Sequence, residues 1–323
     1  MKILVYGAGN MGSLYAALLK EAGEDVSLLA RGKRLQNIRE QGIVLEEFGS
    51  GRQTTTHVKT VASLEPEDAY ELVLVFLPRN HVREALPILA RNQQTPSVMF
   101  LGNNAAGAEE MVEALGQARV LLGFPGAAAV PHNNSIRYLI LAKQEQPTTI
   151  GELDGSRSPR IRSIANTFRS AGFPVSICAN MDAWLKTHVA EISPTGNALY
   201  MVDLDIQRLA HTRDALLLML RAIREGYKVL SKIGVPITPK KHLIFQWLPE
   251  PLLLVLMRRM LEDRTASIKI GHAVEARDEM QTLADEFRKL IQKANIYTPS
   301  IDKLYRYLDE QTEPATDSDS SVK

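Results

Sequence analysis

The chain of 323 residues has a single cysteine, Cys178, which excludes an intrachain disulfide and a cysteine-built zinc site and fits a reducing compartment. Cys178 ends the strand-like stretch 173–178 and reads as a small buried apolar residue. Neither charge sign is in excess: 38 Lys and Arg against 37 Asp and Glu leave a formal charge of +1. Grip on nucleic acid or on an anionic membrane needs clustered positive charge, so neither partner is expected. Long apolar runs are missing too. Nothing approaches the roughly 18 residues of a membrane span, and the richest stretch, 251–260, is bounded or broken by Pro249, Pro251, Arg258 and Arg259. No secretory leader pattern opens the chain, so a cytoplasmic protein is expected. What is present is ordinary globular composition, 45% hydrophobic and 23% charged, in a length that suits two domains.

The first half alternates short apolar runs with helical patterns, as βαβ units do. Strands are expected at 2–6, 26–30, 72–77, 97–101, 120–124, 138–142 and 174–178. Several are apolar throughout, as when helices cover both faces of a parallel sheet. Beyond Met181 strand-like runs vanish, and helical patterns cover 184–191, 212–233, 252–260 and 274–294. The expected fold is therefore α/β: a Rossmann-type, doubly wound parallel sheet over 1–180, followed by an all-α domain over 181–312. The charged tail 313–323 has little to bury and is expected to be disordered. Of two apolar stretches in the helical half, 216–220 and 252–257, core is the expected role, with a homodimer interface as the alternative.

Lys2–Tyr6 runs straight into Gly7-Ala8-Gly9-Asn10-Met11-Gly12, and a helical pattern follows until Gly23. A strand before and a helix after are the context that gives this motif meaning. Gly7 permits the tight turn, Gly9 lets backbone N–H groups approach a pyrophosphate, and Gly12 allows close helix–strand packing. Asn10 and Met11 then open a helix whose N-terminus offers free donors and a positive dipole end to the phosphates. The second strand ends in Leu29-Ala30-Arg31-Gly32-Lys33-Arg34, and Asp25 comes too early to serve a ribose. Cations without a carboxylate suit a 2′-phosphate, so the expected cofactor is NADP(H), with Arg31 its leading contact and Lys33 and Arg34 beside it.

In the helical half, Lys186 follows Trp184-Leu185 at the start of the first helix and could protonate a developing alkoxide. Glu279 lies in a patterned helix, and Asn104 ends a strand on the side where open α/β sheets bind ligands. His188, His211, His242 and His272 have no metal-ligand spacing, and no metal is expected.

Together these residues resemble the ketopantoate reductase (2-dehydropantoate 2-reductase) family over about residues 1–310. The likeness rests on Lys2–Gly12, Val26–Gly32, Asn104, Ile150-Gly151-Glu152, Trp184-Leu185-Lys186, Ser267, Glu279 and Asn295–Pro299. It implies reduction of a 2-oxo acid by NADPH, in the family's case the step before pantothenate, at a site between a Rossmann domain and a helical domain. By the same resemblance Lys186 is the general acid and Glu279 orients substrate and lysine. Ser267, expected in a turn broken near Gly271, binds substrate, and Asn104 lies beside the nicotinamide and the substrate.

The chain departs from the family where substrate is held. Asparagines four and eight residues after the lysine are here Ala190 and Pro194; Asn197 could substitute if Pro194 displaces the helix. Pro78 and Arg79 stand where the family has a lysine, Gly271 where it often has Asp, and the Asn104 loop lacks one glycine. Lost polar partners redirect substrate choice. The alternatives are a reductase of another oxo acid or an imine, and a catalytically silent NADP(H)-binding regulatory protein.

Overall fold

The computed structural model describes residues 1–308, apart from the side chains of 272–275. The tail expected at 313–323 and the His272 side chain lie outside the described residues. Contacts between Cα atoms divide the chain into one unit of Met1–Asn103 with Gly107–Asp182, and a second of Asn104–Ala106 with Ala183 onward.

The first unit opens with β1 (Lys2–Tyr6), α1 (Asn10–Glu21), β2 (Asp25–Leu29), α2 (Gly32–Gln41), β3 (Ile43–Glu47), β4 (Gln53–Thr56) and β5 (Lys59–Val61). It continues through β6 (Leu72–Val75), α3 (Arg79–Arg91), β7 (Val98–Leu101), α4 (Glu109–Leu115), β8 (Val120–Phe124), β9 (Ala127–His132) and β10 (Ser135–Ile140). β11 (Thr148–Glu152), α5 (Pro159–Ser170) and β12 (Val175–Ile177) complete it. The main sheet has the order β12-β11-β8-β7-β6-β1-β2-β5. From β8 to β5 its neighbours are parallel, and only the β8–β11 pair is antiparallel. The chain winds outward from β1 through β2 to β5, then returns to β6 on the other side of β1. The gap between the C-terminal ends of β1 and β6 is thus a topological switch point, where open α/β sheets bind ligands.

Six strands differ from expectation: β3, β4, β5, β9 and β11 were not expected, and β10 lies in another sheet. The apolar run near 138–142 does not join the parallel sheet; β10 pairs antiparallel with β9 and parallel with β3 in a separate four-stranded sheet, β4-β3-β10-β9. A tight turn at Asn133-Asn134 makes this hairpin, with Asn133 at φ 51° and His132 facing Ser135. β11, with Ile150 its one large apolar side chain, carried no strand signal, yet it is buried along its whole length. Cys178 follows β12 and is half-buried rather than fully buried, with burial raising its thiol pKa.

In the second unit the elements are α6 (Met181–Met201, its first two residues in the first unit), α7 (Ile206–His211), α8 (Arg213–Lys232), α9 (Ile244–Trp247), α10 (Glu250–Glu262), α11 (Ala266–Glu275), α12 (Arg277–Ala294) and α13 (Pro299–Tyr305). Its core is built on α8, whose Leu216, Leu220, Ile223, Tyr227 and Leu230 recur at helical spacing and are buried. A Cβ placed on Gly226 of α8 would sit 3.1 Å from the Ala190 Cβ of α6, so the two helices meet closely there. The Glu225 carboxylate accepts the Ser300 and Ile301 N–H groups, capping α13. The stretch 216–220 is mostly core, whereas α10 is amphipathic: Leu253 and Met257 are buried, and Leu252, Val255, Leu256 and Met260 are exposed. One expected helix, 274–294, is two, α11 and α12, parted at Ala276. Among the described residues no helix is long and apolar enough to cross a membrane.

Candidate active site

The glycine loop is shaped by its neighbours. Gly7 has φ 117°, and a Cβ there would meet the Phe76 carbonyl oxygen beyond β6 at 2.2 Å. A Cβ on Gly12 would lie 1.9 Å from the Gly7 oxygen. Gly9 is different: a Cβ there would meet nothing within 4 Å. It is the N-cap of α1, with no side-chain cap and no acid in the first turn, so the N–H groups of Asn10 and Met11 follow directly from an open loop. An uncapped helix start beside an open glycine is a cradle for an anionic group.

Two arginines close on this loop. Arg34, in the first turn of α2, donates from Nε to the Ala8 oxygen at 3.1 Å and from Nη2 to the Ser13 hydroxyl at 3.0 Å. Arg31, the N-cap of α2, donates to the Tyr6 hydroxyl at 3.4 Å. Lys33 is exposed. Asp25 is at the opposite end of β2, in register with Lys2, and does not reach the loop end of the strand. Arg79, beside the position of the family's lysine, is buried and pairs with Glu110 at 2.5 Å, so its charge is engaged by α4.

The remaining candidates belong to the helical unit. Lys186 is half-buried in the second turn of α6. Glu279 is buried in the first turn of α12, where the helix dipole favours negative charge. Tyr200, fourteen residues or about four turns beyond Lys186 on α6, has the Arg277 guanidinium 4.2 Å above its ring. Burial pushes its phenol up to about 12, Arg277 opposes the shift and Glu279 adds to it, so the Glu279 carboxylate lies within electrostatic reach of Tyr200. Asn104 is buried, in the turn 104–106 that clusters with the helices rather than the sheet.

The positions expected to hold substrate differ in their surroundings. α6 is helical throughout 181–201, so Pro194 does not break it, and the Thr195 hydroxyl donates to the Glu191 oxygen at 2.8 Å alongside. Asn197 shares the Lys186 face, since eleven residues bring a helix nearly back into phase, but stands about 16 Å further along the axis. It is fully buried, and neither amide atom has a hydrogen-bond partner among the described residues. Ala190 is packed against α8. Ser267 is exposed in the first turn of α11, not in a preceding turn, and Gly271 lies inside that helix.

Sequence reasoning missed Glu286. One of its carboxylate oxygens accepts the N–H groups of Ala105 and Ala106, at 3.0 and 3.1 Å. The available signal was an acid on the apolar face of α12, seven residues after Glu279 and next to Phe287.

Comparison with known proteins fits this geometry. The family model for ketopantoate reductase PanE/ApbA matches residues 3–155, which contain the glycine loop, both arginines and the Asn104 turn. Over that stretch the chain is similar to the ketopantoate reductase family. The 2-dehydropantoate 2-reductase of Pyrococcus horikoshii is 27% identical over 250 residues, 76% of this chain and 79% of that protein. That of Aquifex aeolicus is 27% identical over 73% of this chain and 74% of its own length. Among solved structures, a 2-dehydropantoate 2-reductase of Geobacter metallireducens has a TM-score of 0.75 at 19% identity, covering 97% of this chain and all of that one. A D-mandelate dehydrogenase solved with NADH and anilino(oxo)acetate has a TM-score of 0.78 at 16% identity, covering 95% of this chain and 97% of that one. At these identities the structural likeness speaks for the ketopantoate reductase fold.

Proposed function

We propose that this protein reduces a 2-oxo acid to a 2-hydroxy acid with NADPH, with ketopantoate to pantoate as the first reaction to test. A cytoplasmic place in pantothenate synthesis goes with that reading. The observation that carries it is the glycine loop at the switch point, open at Gly9 and gripped by Arg34, with Arg31 at its flank. Gly7, Gly9, Asn10, Met11 and Gly12 would hold the pyrophosphate, and Arg31 and Arg34 a 2′-phosphate. When bound, the cofactor supplies the hydride that reaches the substrate's carbonyl carbon.

The chain's own residues supply the rest. The Lys186 ammonium donates a proton to the carbonyl oxygen as it becomes an alkoxide, so hydride and proton together give the hydroxyl. Glu279 orients the lysine and the substrate. Asn104 fixes the reacting group by hydrogen bonds, and Ser267 binds the substrate's carboxylate end. Asn197 offers a buried amide on the lysine's face with neither polar atom hydrogen-bonded.

A second reading, a reductase for a different 2-oxo acid, is favoured by Ala190 and Pro194, which present no side-chain hydrogen bond where the family has asparagines. NADPH oxidation should be followed with ketopantoate, pyruvate and an aromatic 2-oxo acid, for wild type and Lys186→Ala. We expect ketopantoate to lead, and Lys186→Ala to lose about 100-fold or more in kcat while NADPH affinity holds. Ketopantoate no better than pyruvate would refute the narrow assignment. NADPH binding without turnover of any acid, unchanged in Lys186→Ala, would favour the silent regulatory protein.

A further inference from the structure

We infer that Glu286 is a positioning residue that holds Asn104 for ligand binding. The Asn104-Ala105-Ala106 turn is short and is followed by Gly107 at φ 100°, a conformation that L side chains rarely adopt. Successive N–H groups of the turn, at Ala105 and Ala106, converge on a single oxygen of the Glu286 carboxylate. Hydrogen bonds to an ionised acceptor are about twice as strong as neutral ones, and this acceptor is 8% exposed, so water competes little for it. Ala105 is fully buried against the helical core, which adds a packing constraint to the two bonds. The turn is therefore fixed from both sides: its backbone by α12, and its methyl by the core.

In these two bonds Glu286 holds backbone groups of the turn, and the side chain that this turn carries toward a ligand is Asn104. Glu286 is also one of two buried carboxylates on the same face of α12, since seven residues separate it from Glu279. Helix α12 thus carries an acid assigned to the chemistry and, two turns on, an acid that sets the neighbouring asparagine. A slight rotation or loss of α12 order would disturb both.

This inference rests on the reading of Asn104 as a ligand contact, and the test separates the two. Amide hydrogen exchange of the ligand-free protein reads the clamp directly. In Glu286→Ala the Ala105 and Ala106 amides should exchange about 10-fold or more faster. Glu286→Gln keeps a carbonyl oxygen in place and should recover most of that protection. For oxo-acid reduction, Glu286→Ala should lower kcat/KM about 10-fold in the wild-type background and less than about 2-fold in an Asn104→Ala background, because a residue acting through another is non-additive. The same cycle on the Kd for NADPH supplies a readout independent of turnover.

Unchanged exchange in a folded Glu286→Ala protein would overturn the clamp. Faster exchange with equal losses in both backgrounds would overturn the positioning role, leaving a purely structural contact. If the wild type reduced no oxo acid, the proposed activity would fall, while the exchange data and the NADPH cycle would still decide Glu286.

Discussion

Gly9 and Gly12 occupy one loop for opposite physical reasons, and alanine at each separates them. Gly12→Ala puts a methyl 1.9 Å from the Gly7 carbonyl oxygen, inside van der Waals contact with backbone. Something must shift, and overpacking of this kind costs about 1–3 kcal/mol or more. Gly9 has φ −69° and ψ −176°, which alanine adopts without strain, and a methyl there touches nothing within 4 Å. Gly9→Ala should therefore leave stability unchanged or raise it by up to about 1 kcal/mol, through a less flexible unfolded chain. Its damage falls on the ligand. A methyl over the start of α1 holds a phosphate away from the N–H donors, and one lost charge-assisted bond is worth about 1.5–3 kcal/mol, or about 10- to 100-fold in Kd. Thermal unfolding and titration by NADPH fluorescence measure the two effects separately. Gly9→Ala binding NADPH within about 2-fold of wild type would refute the idea that a pyrophosphate approaches the loop there.

The same titration distinguishes the two arginines. If Arg31 meets the 2′-phosphate as proposed, Arg31→Ala should weaken NADPH about 10- to 100-fold and NADH by less than about 3-fold. Arg34→Ala should weaken both nucleotides, because it also frees Ala8 and Ser13 of the loop; equal losses of NADH in the two variants would refute that division. A pH effect is expected at Glu152, a buried acid of β11 that accepts from the Ser158 hydroxyl and from Arg160 Nε at 2.8 Å. Burial pushes its carboxyl pKa up, but the Arg160 and Ser158 bonds outweigh burial and hold it below the usual value. A folded-state pKa below the unfolded one of about 4.3 contributes stability that is present above pH 4.3 and lost as pH falls through the folded value. Urea unfolding should show Glu152→Gln about 1–3 kcal/mol less stable than wild type at pH 7, with the gap closing in acid. A gap that is constant down to pH 3 would contradict the assignment.

The strand, glycine loop and helix of residues 2–21, the run of cations after β2, and the change from sheet to helices are all legible in the residues alone. Each is a local signal: apolar residues at period 2 or 3.6, glycines at a fixed spacing, or neighbouring charges. Tertiary structure alone decided the second sheet, because β10 is apolar enough for either sheet and its partner β3 lies about ninety residues earlier. Only tertiary structure could make a buried strand of β11, with one large apolar side chain, or part α11 from α12 at Ala276. The site divides the same way. Lys186, Glu279 and Asn104 are candidates named from position and family resemblance, whereas the burial of Asn197 and the exposure of Ser267 depend on what packs over them. The bond between Glu286 and Ala105 joins residues 181 positions apart, and no local pattern of residues encodes such a contact. The one cysteine and the balanced charge that excluded so much at the outset were properties of the whole chain. By contrast, the Arg31 and Arg34 cluster acquires meaning from folding, which sets the Arg34 guanidinium on Ala8 of the glycine loop and that of Arg31 on Tyr6 just before it.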